Sequence, residues 1–258
     1  MIKIIKDGQI AFVPLKTTFN GTVLDDVLTN SNGEFKTINV SGRELLSEEH
    51  SSTVIDGRDG SYYSGSKLST RTLIVTASIS GKSVTQCHQQ FDALMAFLDV
   101  AKPVPISFSD DPNYFFYAKF KETGELDILK SEAVITLKFI CYDPLKYSNN
   151  KSVTGDTVTY NGKRPYRPKV TLLLTGSASV LKLLHVQSGR FVRITGNYVS
   201  GQKIVFDLAS GAITQNGADI VSQFDMLGSR RFALVPGKNQ LTSSIPATMT
   251  IDYREVFR

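Results

Sequence analysis

The chain has 258 residues, 41% of them hydrophobic and 21% charged, which is close to ordinary globular usage. That is enough apolar material for a core and excludes wholesale disorder. No apolar run approaches the ~18 residues of a membrane-spanning helix, and the N-terminus lacks the apolar stretch and small-residue cleavage site of a signal peptide. The expectation is a protein made in a cytoplasm, with no membrane insertion. The net charge of +5 is unevenly spread. Residues 1–147 hold 15 Lys+Arg and 18 Asp+Glu (−3), and residues 148–258 hold 14 and 6 (+8). Halves of opposite sign suggest two domains with different surroundings. The basic residues are scattered, with no run of five, so a solvated basic surface is expected before a nucleic-acid site.

In chain order, Met1 to Gly8 alternates apolar and polar residues and then turns. Residues 10–14 and 35–40 read as short strands. Residues 72–79 are β-branched, alternate, and stop at Gly81, a strong strand pattern. Ser83 is placed to cap a helix over 84–99. Val84, Cys87, Phe91, Leu94, Met95 and Leu98 follow at intervals of three and four and share one face, with Gln86, Gln89, Gln90 and Asp92 pointing elsewhere. Lys102-Pro103 is the expected stop. Strands are predicted at 104–109 and 114–120, around the turn Asp110-Asp111-Pro112. At 133–142 a period of two puts Ala133, Ile135, Leu137, Phe139 and Cys141 on one face.

The pattern breaks at residues 143–151, where Pro, Ser and Asn collect and the charge balance changes sign. A domain boundary is placed there, giving domains 1–147 and 148–258. Beyond it, short strands at 169–175, 191–195, 203–208 and 249–254 lie between turn pairs. These pairs are Asn161-Gly162, Ser188-Gly189, Ser200-Gly201, Ser210-Gly211 and Asn216-Gly217. That spacing predicts an antiparallel sandwich, with a brief helical turn near 220–226.

Little in the chain suggests chemistry. Cys87 and Cys141 sit in no C-x-x-C and read as reduced core residues. His50, His88 and His185 lie at no metal-ligand spacing, so no metal and no cofactor is expected. G-x-S-x-G is absent, and Gly57 to Gly65 fits neither that elbow nor a phosphate loop. The adjacent carboxylates Asp25/Asp26, Glu48/Glu49 and Asp110/Asp111 point to opposite faces on a strand and read as turn and surface residues. A sandwich invites a sugar site, but the chain has no tryptophan, and Phe115, Phe139, Phe206 and Phe232 read as core. No catalytic residue is assigned.

Several stretches together carry a family resemblance. Ile55-Asp-Gly-Arg-Asp-Gly-Ser-Tyr62 followed by Lys67-Leu-Ser-Thr-Arg-Thr-Leu-Ile-Val75 resembles the signature of siphophage distal tail proteins, with Asp56 where the family has proline. The order continues with the helix, Phe108-Ser-Asp-Asp-Pro112, the aromatic strand 114–120, and a strand closing at Asp143-Pro144. Phe206-Asp-Leu208, Asn216-Gly217 and Phe232 to Asn239 resemble the galectin-like second domain of that family.

The resemblance implies a mainly β, two-domain, non-enzymatic virion protein. An N-terminal β-sandwich or barrel-like domain would carry one α-helix and an extended arm, followed by a C-terminal galectin-like β-sandwich. It implies a homohexameric ring at the distal end of a phage tail. Its partners would be other copies of itself, the tail tube protein and the tail-associated fibre or lysin hub, with receptor-binding proteins in some members. DNA would pass through the channel without specific binding, which an acidic first domain suits. The alternative is a carbohydrate-binding adhesion module, and a cell-wall hydrolase domain is a second alternative.

Ring closure needs head-to-tail contacts, for which hairpins and sheet edges are natural material. Residues 51–69 are too polar for core and long for a loop, since loops above ~12–15 residues are uncommon unless functional. They are expected to form an arm gripping the adjacent subunit. Its interface residues would be Asp56, Gly57, Arg58, Asp59, Gly60, Tyr62 and Tyr63.

Overall fold

The computed structural model describes residues 2–6, 9–124 and 131–258, with side chains described from Pro14 onward outside 125–130. Met1 and the turn expected at Asp7-Gly8 lie outside the described residues. The chain divides into two compact units, Met1–Lys146 together with Arg258, and Tyr147–Phe257.

Unit 1 opens with an antiparallel pair, β1 (Ile2–Lys6) and β2 (Gln9–Val13). There follow β3 (Thr17–Phe19), β4 (Thr22–Val23), α1 (Leu24–Val27), β5 (Gly33–Ser41), β6 (Glu48–Val54), β7 (Ser61–Leu68) and β8 (Arg71–Gly81). Then come α2 (Val84–Leu98), β9 (Val104–Phe108), β10 (Tyr114–Thr123) and β11 (Glu132–Cys141). The main sheet runs β4-β3-β9-β10-β11-β8-β5, while β6 and β7 form a sheet of their own. Its central ladder pairs β8 with β11 from Ser80↔Glu132 to Arg71↔Cys141. Alternation buries Leu73, Val75, Ala77 and Ile79 on β8, opposite Ile135, Leu137, Phe139 and Cys141 on β11. Each fully buried Leu, Ile or Phe in that stripe contributes about 1.5–3 kcal/mol relative to exposure.

The sheet is strongly curled. Phe19 on β3 and Phe139 on β11 are separated by β9 and β10, about 14 Å apart in a flat sheet. Their ring centroids are 5.4 Å apart, so the inner face has closed around itself, as in a barrel.

Helix α2 covers this core. Ser83 caps it, its hydroxyl accepting from the Gln86 N–H at 3.3 Å, and Cys87, Leu94 and Leu98 are buried. Two positions depart from the expected face. Val84 in the first turn is exposed, because the stripe begins one turn later. Gln90 is buried, since its amide links two loop segments. Oriented so that both ends are satisfied, it donates to the Leu28 carbonyl (3.1 Å) and accepts from Asn30 Nδ2 (3.1 Å) and the Gly33 N–H (3.2 Å). A buried amide is tolerated only with such partners. The helix stops at Leu98, before Lys102-Pro103, where Asp99 turns extended.

Asp25, expected at the surface, is buried at the start of α1. Its carboxylate accepts from the Thr17 N–H (2.8 Å), the Thr37 N–H (2.6 Å) and the Thr37 hydroxyl (2.9 Å). It thereby holds β3 and β5 together and occupies an outward amide of β5, an edge strand of the sheet. Its neighbour Asp26 stays exposed and pairs with Lys16 at 2.5 Å.

The strand β12 (Lys146–Ser148) straddles the boundary in sequence. Unit 2 continues with β13 (Lys151–Thr154), β14 (Thr157–Tyr160), β15 (Lys169–Leu174), β16 (Ala178–His185), β17 (Arg190–Tyr198) and β18 (Lys203–Asp207). It ends with β19 (Ile213–Gln215), β20 (Ala218–Asp219), β21 (Gly237–Ser243), β22 (Ala247–Tyr253) and β23 (Val256–Phe257). Two sheets, β13-β22-β15-β18-β19-β20 and β14-β21-β16-β17, share one core. Leu172, Phe206 and Ile251 from the first meet Leu181, Val192 and Leu241 from the second, the arrangement of a β-sandwich. A short 3-10 turn at Val221–Gln223 falls where a helical turn is expected.

Asn216-Gly217 joins β19 to β20 with φ of 49° and 88°, the paired positive values of a tight hairpin turn. Gly162 serves differently. A Cβ there would lie 2.3 Å from the Tyr160 hydroxyl, which donates to the Arg164 carbonyl (2.6 Å) and accepts from the Val256 N–H (3.1 Å).

His185 is fully buried, stacked on Phe232 with ring centroids 5.2 Å apart. Its Nε2 lies 3.1 Å from Asn239 Oδ1 and its Nδ1 2.8 Å from Ser188 Oγ. Burial pulls its pKa below 6.5, only partly opposed by the bond to Asn239. The unfolded chain therefore takes up a proton first as pH falls. The contribution of His185 to stability is complete above about pH 6.5 and is lost as pH drops from there toward the lower folded value. Melting followed from pH 8 to 5.5 should show this decline, and His185→Gln, which keeps a donor toward Asn239, should flatten it. An unchanged slope in that variant would contradict the assignment.

Candidate assembly interface

The segment read as an arm is a β-hairpin. β6 and β7 pair antiparallel from Glu48↔Leu68 to Val54↔Ser61, with a bulge between Ser51 and Ser52. Seven residues at ~3.3 Å each give it a length of about 23 Å. Its tip is a reverse turn in which the Arg58 N–H donates to the Ile55 carbonyl at 3.2 Å. Gly57 sits third in that turn at φ 78°, a position that favours glycine. Gly60 leads back into β7 at φ 83°.

Its polar groups largely satisfy one another near the base. The Ser66 hydroxyl donates to Glu48 (2.6 Å), the Ser69 hydroxyl to Glu49 (3.0 Å), and the Ser64 hydroxyl to the Ser51 carbonyl (2.9 Å). The Ser69 bond, with Lys67 beside it, holds the Glu49 carboxyl below its ordinary range. The outer half differs. Tyr62 and Tyr63 are 59% and 58% exposed and Val54 is 75% exposed. Being adjacent on one strand, the two tyrosines stand on opposite faces of the ribbon, and Tyr63 leans on His50 at 5.9 Å.

Asp56, Gly57, Arg58, Asp59 and Gly60 thus form the tip, with Tyr62 and Tyr63 immediately behind it. Val54, Ile55 and Leu45 add exposed apolar surface that the sequence reading did not assign to the interface. Their signal was an apolar pair, Val54-Ile55, inside an otherwise polar run. An isolated two-stranded ribbon is marginal in water, and this one has no buried residue.

Its root is anchored by Arg71, a buried cation on the first residue of β8. Nε donates to the Pro144 carbonyl (2.9 Å), and Nη1 donates to the carbonyls of Gly42 (2.8 Å) and Glu44 (2.7 Å). The guanidinium also lies over the Phe116 ring at 5.1 Å. The chain entering the arm is therefore tied to the segment that leaves β11.

The described residues bring together no group of three His, Cys, Asp or Glu suited to a metal. Both cysteines are free and buried. Burial pushes the Cys141 thiol up to about 12 and raises that of Cys87, so neither is a thiolate near neutrality. A cavity of about 550 Å³ in unit 1 is walled by Leu15, Phe35 and Ile38. Of the carboxylates around it, Asp26 and Glu34 are paired with Lys16 and Lys36, and Asp25 accepts from Thr17 and Thr37.

Comparison with known proteins agrees with this picture. Residues 26–141 match a family described as the phage tail protein RIFT-related domain, and residues 161–257 match the C-terminal domain of a siphovirus-type tail component. The distal tail protein of Bacillus phage SPP1 is 28% identical over 192 residues, which span 70% of this chain and 75% of that protein. The crystal structure of the SPP1 protein superposes with a TM-score of 0.82 at 22% identity, covering 95% of this chain and 99% of that one. A chain of the phage P2 baseplate, in its activated conformation with Ca, gives 0.55 at 10% identity over 93% and 98%. With both halves matched in order and a full-length likeness of fold, the chain belongs to the siphophage distal tail protein family.

Proposed function

We propose that this chain is a structural protein of the virion, located at the distal end of a long-tailed phage tail, where it joins the tail tube to the tip or baseplate hub and its adhesion apparatus. The observation that carries this reading is the match of both units, in order, to tail-component families. The relative of known structure is described as a hub of the adsorption apparatus in phages infecting Gram-positive bacteria. The protein works through surfaces and catalyses no reaction.

The working form is a homohexameric ring. The N-terminal domain, 1–147, builds the ring and its channel, and the galectin-like domain, 148–258, lies at its periphery. The arm supports this reading. It is an exposed ribbon that pairs with no further strand among the described residues and exposes Val54, Ile55, Tyr62 and Tyr63 toward its tip, and Asp56, Gly57, Arg58, Asp59, Gly60, Tyr62 and Tyr63 contact the adjacent copy. Such a contact is heterologous and closes by rotation. The tail tube protein binds one side of the ring and the fibre or lysin hub the other, and receptor-binding proteins attach at the rim. An acidic first domain lets DNA slide through without strong phosphate attraction.

The test is native mass measurement of the purified chain, paired with electron microscopy. The expected result is a closed ring of six copies. Lone protomers at high concentration would refute the ring, and hydrolysis of any cell-wall substrate would refute the non-enzymatic assignment.

A further inference from the structure

In unit 2, the segment 224–230 runs along the free edge of β17 and closes it. The Asp225 N–H donates to the Arg193 carbonyl (3.0 Å), the Arg193 N–H to Ser229 Oγ (2.9 Å), and the Arg230 N–H to the Phe191 carbonyl (2.8 Å). The Asp225 carboxylate organises the crest of this strap. Oδ1 accepts from the N–H groups of Leu227 (3.2 Å) and Gly228 (3.0 Å), and Oδ2 accepts from Arg193 Nε (2.7 Å). Phe224 packs inward against the sandwich core. The next two apolar side chains do the opposite. Met226 is 82% exposed and Leu227 is 101% exposed.

A loop tied by this many bonds does not need to expose two large apolar groups. An ordered apolar crest is the form that binding hot spots take, since little freedom is lost when it is covered. Its surroundings are basic. Lys182 lies over the Phe191 ring at 4.1 Å and opposite Arg193 across the ladder, and Arg190 and Arg230 flank the same phenylalanine. The charge of Asp225 is taken by Arg193.

We infer that Met226 and Leu227 form a docking knob for a second virion protein, one presenting an apolar pocket rimmed by carboxylates. This rests on the virion reading above. Charge argues for that occupant over another copy of this chain. Residues 148–258 carry +8, so like surfaces repel. In the apolar cavity described on unit 1, Asp26 and Glu34 are already paired with lysines, and the Asp25 carboxylate is already bound by Thr17 and Thr37. A lipid surface is a poorer fit, because two aliphatic side chains without a tryptophan or an amphipathic helix give little to insert.

The test replaces Leu227 with the photocrosslinker p-benzoylphenylalanine in phage particles and irradiates purified virions. The expected product joins this chain to a different virion protein, at a peptide rich in Asp and Glu. In parallel, Leu227→Asp should reduce retention of that protein at least tenfold while the purified variant still folds and assembles as the parent does. A product with another copy of this chain, a lipid adduct, or no product from particles that contain the variant would overturn the inference alone. Absence of the parent chain from particles would overturn the virion reading as well.

Discussion

Replacing Arg71 with alanine should cost unit 1 about 3–5 kcal/mol, through lost packing and several buried carbonyls left without their donor. The residue is 1% exposed, so its truncation leaves a cavity that water does not readily fill. It also strips the carbonyls of Pro144, Gly42 and Glu44 of their donor, and an unsatisfied buried acceptor costs about 1–3 kcal/mol. Burial alone drives the guanidinium pKa down, with Cys141 and Glu44 acting in the opposite direction. The carbonyl dipoles and the Phe116 ring thus stand in for the water it has lost. Lysine keeps the charge without the planar fork or the stacking, so Arg71→Lys should fall between the two. Denaturant midpoints measure both losses. Amide exchange adds a positional readout, because protection at the root of β6 and β7 should fall before protection at the centre of β8. A loss under about 1 kcal/mol in the alanine variant would mean that the root is held by something else.

The elements legible in the sequence are those with one buried face. Leu73 to Ile79 and Ile135 to Cys141 alternate because one side of each strand meets the core, and α2 repeats every three to four residues for the same reason. β16 went unread although it is central to its sheet. Leu181, Leu183 and His185 are buried, but Val180 and Leu184 put apolar residues on the outer side as well, and the alternation is blurred. β6 and β7 failed for the opposite cause. Neither face is covered, so no hydrophobic period exists, and their pairing rests on the turn at Gly57 and on hydroxyl-to-carboxylate bonds across the ladder. Asp25 shows a further limit. Beside Asp26 it reads as surface, and only the meeting of β3 with β5 supplies the amides that let it be buried. For the candidate interface, the location was readable from polarity and length. Its exposed apolar side chains became visible only in the structure, where Val54 and Tyr62 are 75% and 59% exposed.

Trimming the arm should separate folding from assembly. Ser51 and Gly65 already face one another across the ladder, so an Asn-Gly pair in place of residues 52–64 can close the shortened hairpin with a tight turn. The bonds from Ser66 to Glu48 and from Ser69 to Glu49 remain. The residues removed are almost wholly exposed, so stability should stay within about 0.5 kcal/mol of the parent. Assembly should respond very differently. Val54, Ile55, Tyr62 and Tyr63 leave together, and buried interface aromatics commonly contribute about 1–2 kcal/mol or more each. Every copy in a ring makes the contact twice, once as donor of the arm and once as its acceptor. The expected product is a folded protomer that runs at its own mass where the parent runs as a ring. Since Tyr62 and Tyr63 face opposite ways, the single alanine variants should weaken the ring unequally, and the more damaging one marks the face turned toward the neighbour. If the trimmed chain still closes into rings, the contact lies on the curled sheet itself and the hairpin serves some other partner.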